Sequence, residues 1–243
     1  MKVLQSIPLL LLRIATALCL TYALFTSGLF LCTTPQATES IGHTFSNWNS
    51  AIFPEEDMAT IAEAVRVFSV EGGEESYLVD TIHSILERNY PDLDQVVLGL
   101  STPQETQRYL LTPDAISHLR DCTPVFQTVA ISTGVIGAFG LIGLIALVII
   151  QGRKSAGNVL QVASLITIGI IVGLGMWALL DFDSLFTFMH SCFFAQGTWL
   201  FDARSLLIQL FPENFWAAMA FLWAISSIIV SIIACLLGKV LKL

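Results

Sequence analysis

The stretch FQTVAISTGVIGAFGLIGLIALVII, residues 126–150, decides the predicted fold because it contains no charged side chain. A transmembrane helix needs about 20 apolar residues to cross about 30 Å of hydrocarbon, so this stretch is long enough. The whole chain is similarly apolar, with 55% hydrophobic residues, 12% charged residues and a mean hydropathy of +0.75. This composition excludes an ordinary soluble domain and indicates a polytopic membrane protein.

Three further apolar stretches have spanning length, and nowhere does the sequence alternate as a strand would. We therefore predict an all-α polytopic membrane protein with four transmembrane helices and a helical extracytoplasmic domain between helices 1 and 2. Residues 1–243 form a single membrane domain, and its spans cover about 9–32, 125–150, 158–180 and 216–238. Residues 33–123 form the predicted extracytoplasmic helical insertion, and residues 181–215 form an extracytoplasmic aromatic-rich loop.

The charged residues predict the orientation of the spans. All 19 Asp and Glu residues lie in the two long segments between spans. The opposite side carries only basic residues, which are Lys2, Arg13, Arg153, Lys154, Lys239 and Lys242. Because an excess of Lys and Arg is typical of the cytoplasmic side, we expect both termini inside and both acidic segments outside.

The first apolar run has an alternative interpretation. Lys2, an apolar stretch and Cys32 are also typical of a signal peptide, or of a lipoprotein signal peptide, which is cleaved just before a cysteine. However, Leu31 occupies the position where cleavage needs a small residue, and the run is longer than a usual signal-peptide core. We therefore interpret it as a retained transmembrane helix.

Two amphipathic helices are predicted within residues 33–123. The first begins after Pro54, because the three acidic residues that follow stabilise the N-terminal end of a helix dipole, and it ends at Glu71 before two glycines. The second covers about Glu75 to Arg88. The apolar faces are Ile61, Val65 and Phe68 in the first helix and Leu78, Ile82, Ile85 and Leu86 in the second. His83 lies among the second set, and we interpret it as a core or partly buried histidine.

Three Thr-Pro pairs predict further helix starts, since threonine caps a helix and proline fits its first turn. They are Thr102-Pro103 in a capping box with Glu105, Thr112-Pro113, and Thr123-Pro124 at the expected start of the second span. The helix opened by Thr112 carries His118 and Asp121, which are three residues apart and therefore neighbours on one face.

Several features limit the possible functions. No charged residue lies deep within a span, which argues against an ion-conducting or proton-pumping path. The sequence has no phosphate-binding glycine loop, no CxxC pair and no basic patch for nucleic acid. Cys122 and Cys192 lie on the predicted outer side, where a disulfide and two free thiols both remain open. We expect close helix packing at the span glycines, which include Gly134, Gly137, Gly140, Gly143, Gly169 and Gly173.

Residues 181–215 carry His190 among a high density of aromatic side chains, which is typical of a segment at a membrane surface. His118 is expected at the same surface, and three kinds of site fit the pair. The histidines could perform acid–base or nucleophilic chemistry on a lipid substrate, with nearby carboxylates and hydrogen-bond donors in support. They could bind zinc, although no HExxH-like spacing supports this. They could also be purely structural.

One motif extends from His190 to the start of the last span. It reads His190-x-x-Phe193-Phe194, Gly197-Thr198-Trp199-Leu200-Phe201-Asp202 and Leu206-Leu207-Ile208-x-Leu210-Phe211-Pro212-Glu213-x-Phe215-Trp216. This motif resembles the signature of the bacterial lipoprotein intramolecular transacylase (Lit) family. His118-Leu119-x-Asp121 resembles the other motif of that family. Two positions depart from the pattern, because Ala115 stands where an acidic residue is usual and Cys122 where a valine is common.

The resemblance implies a multi-pass acyltransferase of the bacterial cytoplasmic (inner) membrane, with its active site facing outside. Its substrates would be diacylglyceryl-modified lipoproteins held in membrane lipid, with no nucleic-acid partner, no metal and no cofactor. The sn-2 acyl chain would move from glycerol to the α-amino group of the N-terminal cysteine, giving the lyso-form lipoprotein. The alternative is a non-catalytic membrane protein that binds a lipid or partner through its outer helical domain.

The resemblance also implies roles for individual residues. His118 and His190 would be catalytic, and Asp121, Trp199 and Glu213 would support them. Our hypothesis is that His118, oriented by Asp121, accepts the proton of the attacking amine. His190 would then protonate the leaving oxygen or stabilise the oxyanion. The two roles can be exchanged, because nothing in the sequence distinguishes the histidines.

Overall fold

The computed structural model describes residues 2–92 and 106–243, and within these ranges it has no strand. Its α-helices are α1 (Lys2–Thr26), α2 (Leu29–Cys32), α3 (Pro35–Phe45), α4 (Glu55–Arg66), α5 (Glu75–Asn89), α6 (Pro113–Gln151), α7 (Arg153–Leu180), α8 (Phe182–Phe193), α9 (Leu206–Leu210) and α10 (Glu213–Val240). The capping box predicted at residues 102–105 lies outside the described residues.

Four helical segments are long and apolar enough to cross a membrane. They are Ile7–Cys32, Pro113–Gln151, Arg153–Leu180 and Glu213–Val240. Many of their large apolar side chains face outward, including Ile149, Leu179 and Leu180, which are each more than three-quarters exposed. Such exposure is unfavourable in water and favourable in lipid. The predicted all-α fold with four transmembrane helices is therefore confirmed.

The chain divides into two compact units. The first, which we call the membrane unit, comprises Met1–Leu31, Thr128–Leu185 and Phe221–Leu243. Its buried core consists of Leu20, Leu147, Ala156, Val159, Leu160, Ala163 and Ala234. Hydrogen bonds also join its helices, because Trp223 Nε1 donates to the Phe25 carbonyl at 2.9 Å and Thr133 Oγ1 donates to Thr26 Oγ1 at 2.9 Å.

The glycine prediction holds for only part of its set. A Cβ atom at Gly143 would lie 2.2 Å from Thr16 Oγ1, and one at Gly140 would lie 3.0 Å from Leu20, so both positions need a small residue. At Gly134, Gly169 and Gly173 an added Cβ atom would meet no described atom within 4 Å. The expected packing role of these three glycines is wrong, because small-residue spacing does not determine which helix face meets a neighbour.

The second unit comprises Cys32–Gln127 and Phe186–Ala220, and we call it the histidine unit because all four histidines lie in it. Its large fully buried side chains are Trp48, Phe53, Met58, Ile61, Val65, Leu78, Leu86, Leu206 and Leu210. Both predicted apolar faces are confirmed, since their seven residues are at most 5% exposed. His83 is half-buried, as expected.

Trp48 is the central side chain of this core. Its ring is 1% exposed, and its Nε1 atom donates to the Leu210 carbonyl at 3.1 Å. A Cβ atom at Gly42 would lie 2.0 Å from the Trp48 ring, so only glycine allows α3 to approach the indole. Trp48 thus ties α3 to α9 through both packing and a hydrogen bond.

Helix α4 begins and ends where the sequence predicts. Pro54 precedes its first turn, and a π-helix, Val67–Glu71, extends it up to the predicted end. Gly72 then adopts a φ of 76°, a left-handed conformation that glycine adopts without strain.

Helix α6 begins at Pro113, as predicted, and Thr112 Oγ1 accepts a hydrogen bond from the Ala115 amide at 3.2 Å. The second start predicted at Thr123-Pro124 is wrong, because the helix continues through Pro124. Extending an existing helix is easier than nucleating a new one, so the bond that proline cannot donate is tolerated. Instead of capping, Thr123 Oγ1 donates to the Phe68 carbonyl at 3.2 Å.

The length of α6 exceeds what a bilayer needs. Its 39 residues extend for about 58 Å at 1.5 Å per residue, against about 30 Å of hydrocarbon. Residues 126–150 alone provide the spanning length. The first three turns, which carry His118, Arg120 and Asp121, can therefore extend beyond the hydrocarbon.

Candidate active site

His118 lies on α6 and is 8% exposed. Ala115 and Cys122 share its side of the helix at spacings of three and four residues, and Ala115 and the adjacent Leu119 are also buried. The Nε2 atom of His118 lies 3.9 Å from Cys122 Sγ. Its Nδ1 atom is buried and has no hydrogen-bond partner among the described residues. A ring nitrogen of this kind is uncommon, because burying an unpaired polar atom costs about 1–3 kcal/mol.

His190 lies near the end of α8 and is also 8% exposed. Its Nδ1 atom is 2.9 Å from the Phe186 carbonyl, one helical turn earlier. A carbonyl only accepts hydrogen bonds, so Nδ1 carries the proton. In the neutral imidazole, Nε2 is then the unprotonated nitrogen with a free lone pair. This hydrogen bond fixes the tautomer that a general base requires.

Aromatic rings surround the two imidazoles. The centroids of the histidine rings are 6.1 Å apart, and the rings are inclined by 28°. Phe194 contacts both, with its centroid 4.7 Å from that of His118 and 5.7 Å from that of His190. Phe186 packs 4.0 Å from His190, and Phe201 packs 5.7 Å from His118. These rings exclude water and lower the local polarity.

The apolar surroundings control the charge of the pair. Burial lowers the pKa of His118 from its ordinary value to about 4; the neighbouring His190 lowers it further, and Asp121 partly opposes the shift. Burial also lowers the pKa of His190, although the bond to the Phe186 carbonyl partly opposes this. Both imidazoles are therefore neutral at pH 7.

Cys122 stays a thiol beside His118. Burial and then the charge of Asp121 raise its pKa to about 12. Cys122 and Cys192 are both free, so of the two states left open by the sequence the structure has the free thiols. The protonated Cys122 thiol can donate weakly to a ring nitrogen.

Trp199 completes the cluster from the loop after α8. A turn brings it there, because the Thr198 amide donates to the Ala195 carbonyl at 3.2 Å and Gly197 adopts a φ of 90°. The Trp199 ring packs against His190 with centroids 4.9 Å apart. Its Nε1 atom is buried and, like His118 Nδ1, has no partner in the described part of the chain.

Two predicted supporting residues are less closely associated with the histidines. Asp121 is exposed and influences the pKa of His118 through its charge, but it does not bond to the buried Nδ1 atom. Glu213 is exposed in the first turn of α10, where its charge suits the helix dipole.

Sequence reasoning missed two partners of the histidine rings. The Phe186 carbonyl fixes the tautomer of His190, and the Cys122 thiol lies beside His118 Nε2. Each lies four residues from a histidine on the same helix, and this spacing was the available signal.

The described His, Cys, Asp and Glu side chains near the histidine pair do not form a cluster that could bind a metal ion. Within residues 2–92 and 106–243, no group of three or more His, Cys, Asp or Glu side chains is placed to hold an ion. The chemistry that this arrangement can support is proton transfer and hydrogen bonding by two neutral imidazoles and an indole N–H.

The fold and the site together define a membrane-integral α-helical protein with a buried histidine pair. The family model for "Lipoprotein intramolecular transacylase Lit" matches residues 79–216, which is more than half of the chain and includes both histidines. The chain belongs to this family of acyltransferases. No curated protein sequence matches it.

Solved structures extend the likeness to the whole fold. The chain is similar to the membrane-integral lipoprotein intramolecular transacylase Lit from Bacillus cereus, with 15% identity, a TM-score of 0.72, and coverage of 95% of this chain and 94% of that one. Two variants of that enzyme, in which a histidine is replaced by arginine or by alanine, match with 17% identity and TM-scores of 0.56. Each match covers 99% of this chain, together with 94% of the chain of the arginine variant and 96% of the chain of the alanine variant. At these identities the likeness concerns the fold.

Proposed function

We propose that this protein moves the sn-2 acyl chain of a diacylglyceryl-modified lipoprotein to the α-amino group of the N-terminal cysteine of that lipoprotein. The amine nitrogen forms a bond to the ester carbonyl carbon, and the bond from that carbon to the glycerol oxygen breaks. One proton moves from the nitrogen to the released oxygen. The products are an amide and a free glycerol hydroxyl, so the reaction needs no cofactor.

His190 is the general base in this proposal. The observation that carries it is the hydrogen bond from His190 Nδ1 to the Phe186 carbonyl, which leaves Nε2 as the free acceptor. His190 Nε2 takes the proton from the attacking amine and returns it to the leaving glycerol oxygen. A positioned base of this kind contributes about 10²–10⁴-fold to the rate.

His118 acts as a neutral hydrogen-bond donor to the developing oxyanion. The protonated Cys122 thiol donates to His118 Nε2, which places the ring proton on Nδ1. With its pKa lowered to about 4, His118 is a weak base but stays neutral and can donate without carrying a charge. This assignment exchanges the roles in the hypothesis from the sequence, in which His118 was the base.

The remaining predicted residues have indirect roles. Asp121 favours the positive charge that develops on the histidine pair during proton transfer. Glu213 stabilises the start of α10, and this helix start fixes the end of the loop that carries Trp199. Trp199 packs on His190 and limits its rotation.

We further propose that the site faces the outside of the inner membrane of a bacterium and that both termini are cytoplasmic. In this orientation residues 33–123 and 181–215 are extracytoplasmic, and the spans cover about 9–32, 125–150, 158–180 and 216–238. The separation of charge supports it, because all 19 acidic residues lie in these two segments. A diacylglyceryl lipoprotein in membrane lipid presents its ester groups at the same depth as the aromatic side chains.

The test uses a bacterial host whose lipoproteins keep the diacylglyceryl form with a free amine. One abundant lipoprotein is purified from cells with and without this protein, and its N-terminal lipopeptide is fragmented in a mass spectrometer. We expect unchanged total mass and one acyl group shifted from glyceryl to N-terminal fragments.

Two controls separate this proposal from its alternatives. The His83→Gln variant changes a histidine that is half-buried outside the pair, so it should support the same shift. Treatment of membranes with a chelator should leave the transfer intact. Unchanged fragments despite normal amounts of protein in the membrane would overturn the proposal and favour a binding role.

A further inference from the structure

We infer that the indole N–H of Trp199 donates a hydrogen bond to the oxygen that becomes negatively charged during acyl transfer. The inference rests on the proposed function and adds a second donor beside His118. It makes Trp199 a catalytic residue that contacts the reacting atoms, in addition to packing on His190.

The first argument is the unpaired state of this N–H group. The Trp199 Nε1 atom is buried without a hydrogen-bond partner among the described residues. A buried indole usually finds an acceptor, because an unpaired donor loses its bonds to water and gains nothing in return. An acceptor supplied by the substrate would remove this cost at the moment it is bound.

The second argument is its position. Trp199 lies against His190, with ring centroids 4.9 Å apart, and the ring of His190 is also inclined by only 28° to that of His118. His118 also contributes a buried ring nitrogen, Nδ1, that has no partner in the part of the chain that the structure describes. Buried ring nitrogens without a partner in the described residues thus lie on both neighbours of the proposed base, and in the proposed tautomer of His118 both carry a proton.

The third argument is the chemistry of the reaction. When the amine adds to the ester, the carbonyl oxygen gains a negative charge, and donors in a water-excluded site stabilise this charge strongly. The carbonyl oxygen has two lone pairs, so it can accept one bond from His118 Nδ1 and one from Trp199 Nε1. Both donors are neutral before the reaction, which suits an apolar lipid substrate.

Other tryptophans in the chain provide the comparison. The Nε1 atoms of Trp48 and Trp223 donate to the carbonyls of Leu210 and Phe25 at 3.1 Å and 2.9 Å. These indoles complete the fold. The Nε1 atom of Trp199 has no such carbonyl partner among the described residues.

The test is a steady-state measurement of acyl transfer by the purified full-length protein with a synthetic diacylglyceryl lipopeptide. In Trp199→Phe the ring remains and the N–H is removed. We expect kcat to fall about 10²–10³-fold with KM changed less than threefold, as for the loss of one oxyanion donor. The matched control is Trp223→Phe, which removes an N–H from the membrane unit and should keep kcat within threefold.

A second variant separates the N–H group from the shape of the ring. Replacing Trp199 with β-(3-benzothienyl)alanine substitutes sulfur for the N–H in a ring of nearly the same size. Its kcat should fall as far as that of Trp199→Phe. A kcat within threefold of the wild type in this variant, or an effect confined to KM, would overturn the inference.

The measurement distinguishes a failure of the proposed function from a failure of the inference about Trp199. If the wild-type protein transfers no acyl chain, both proposals are wrong. If the wild type is active and both Trp199 variants are equally active, only the role of Trp199 is wrong.

Discussion

Two aromatic regions of the histidine unit, one around Trp48 and one around His190, differ in the hydrogen bonding of their ring nitrogens. Around Trp48, the indole N–H is bonded to the Leu210 carbonyl, and the nearby His43 Nδ1 atom bonds to Glu55 Oε1 at 2.6 Å. Around His190, Trp199 Nε1 and His118 Nδ1 have no partner in the described residues. Both regions are rich in aromatic rings, so the regions differ in the hydrogen-bond partners of these nitrogens and not in their aromatic content.

This difference shows how a fold separates structural from chemical side chains. Paired groups stabilise the protein in its resting state, whereas unpaired groups cost stability and are retained where a substrate supplies the partner. Ser46 is an exception near Trp48, because its hydroxyl is buried without a partner. A hydroxyl can reorient its hydrogen, but the N–H direction of a packed indole is fixed.

The largest expected effect is on the histidines of the unpaired region. His190→Gln should lower kcat about 10²–10⁴-fold, because the amide cannot accept the proton. His118→Ala should lower it about 10²–10³-fold, and His118→Asn should recover part of this loss because its amide can donate from the position of Nδ1. Rates measured at equal amounts of folded protein test this.

The double variant and a control sharpen the same comparison. Because the two histidines act as a unit, the His118→Ala and His190→Gln effects should not add. His83→Gln should keep the wild-type rate. Full activity of His190→Gln in correctly folded protein would contradict the account.

The next largest effect is on the stability of the paired region. Trp48→Phe should lower the free energy of unfolding by about 2–4 kcal/mol, since it removes a bond to a buried carbonyl and leaves a cavity. Trp199→Phe should lower it by less than about 1 kcal/mol, because the N–H that it removes has no partner. Thermal unfolding in detergent compares the two variants directly. Equal destabilisation would mean that Trp199 is as structural as Trp48.

A smaller effect is expected from acid. The folded-state pKa of His118 is lowered to about 4, so its buried neutral ring contributes stability that is present above pH 6.5 and is lost as the pH falls towards 4. The melting temperature of the wild type should therefore decrease more between pH 6.5 and 4 than that of His118→Asn. Parallel pH curves for the two proteins would show that His118 is already charged or accessible to water.

The smallest effect concerns Cys122. Its thiol contacts His118 Nε2 at 3.9 Å, which makes only a weak hydrogen bond. Cys122→Val keeps the size of the side chain and should lower kcat less than about tenfold, through partial loss of the Nδ1-protonated tautomer. The exposed Cys192 offers a control, since Cys192→Ser should not change kcat. A loss as large as that of His118→Ala would give the thiol a direct part in the chemistry.

The sequence predicted the features that depend on local pattern. The apolar faces of α4 and α5 follow from helical periodicity, and the start of α6 follows from the cap at Thr112. The four spans follow from length and hydropathy alone. The motif around His190 pointed to the correct family.

Other features depend on tertiary structure and could not be predicted in the same way. Thr123-Pro124 has the composition of a helix start, but the preceding helix continues through it and Thr123 bonds to Phe68 instead. The spacing of Gly169 and Gly173 carries no information about which faces meet. The unpaired state of Trp199 Nε1 is a property of everything around it, so no pattern in the sequence encodes it.

The most direct test is a structure of the protein with a diacylglyceryl-cysteine peptide whose sn-2 ester oxygen is replaced by a methylene group. This ketone keeps the carbonyl but cannot release the chain. The account predicts that the carbonyl oxygen lies about 2.7–3.2 Å from His118 Nδ1 and Trp199 Nε1, with the amine near His190 Nε2. A bound analogue that leaves both nitrogens unpaired, with its carbonyl away from the histidine pair, would contradict it.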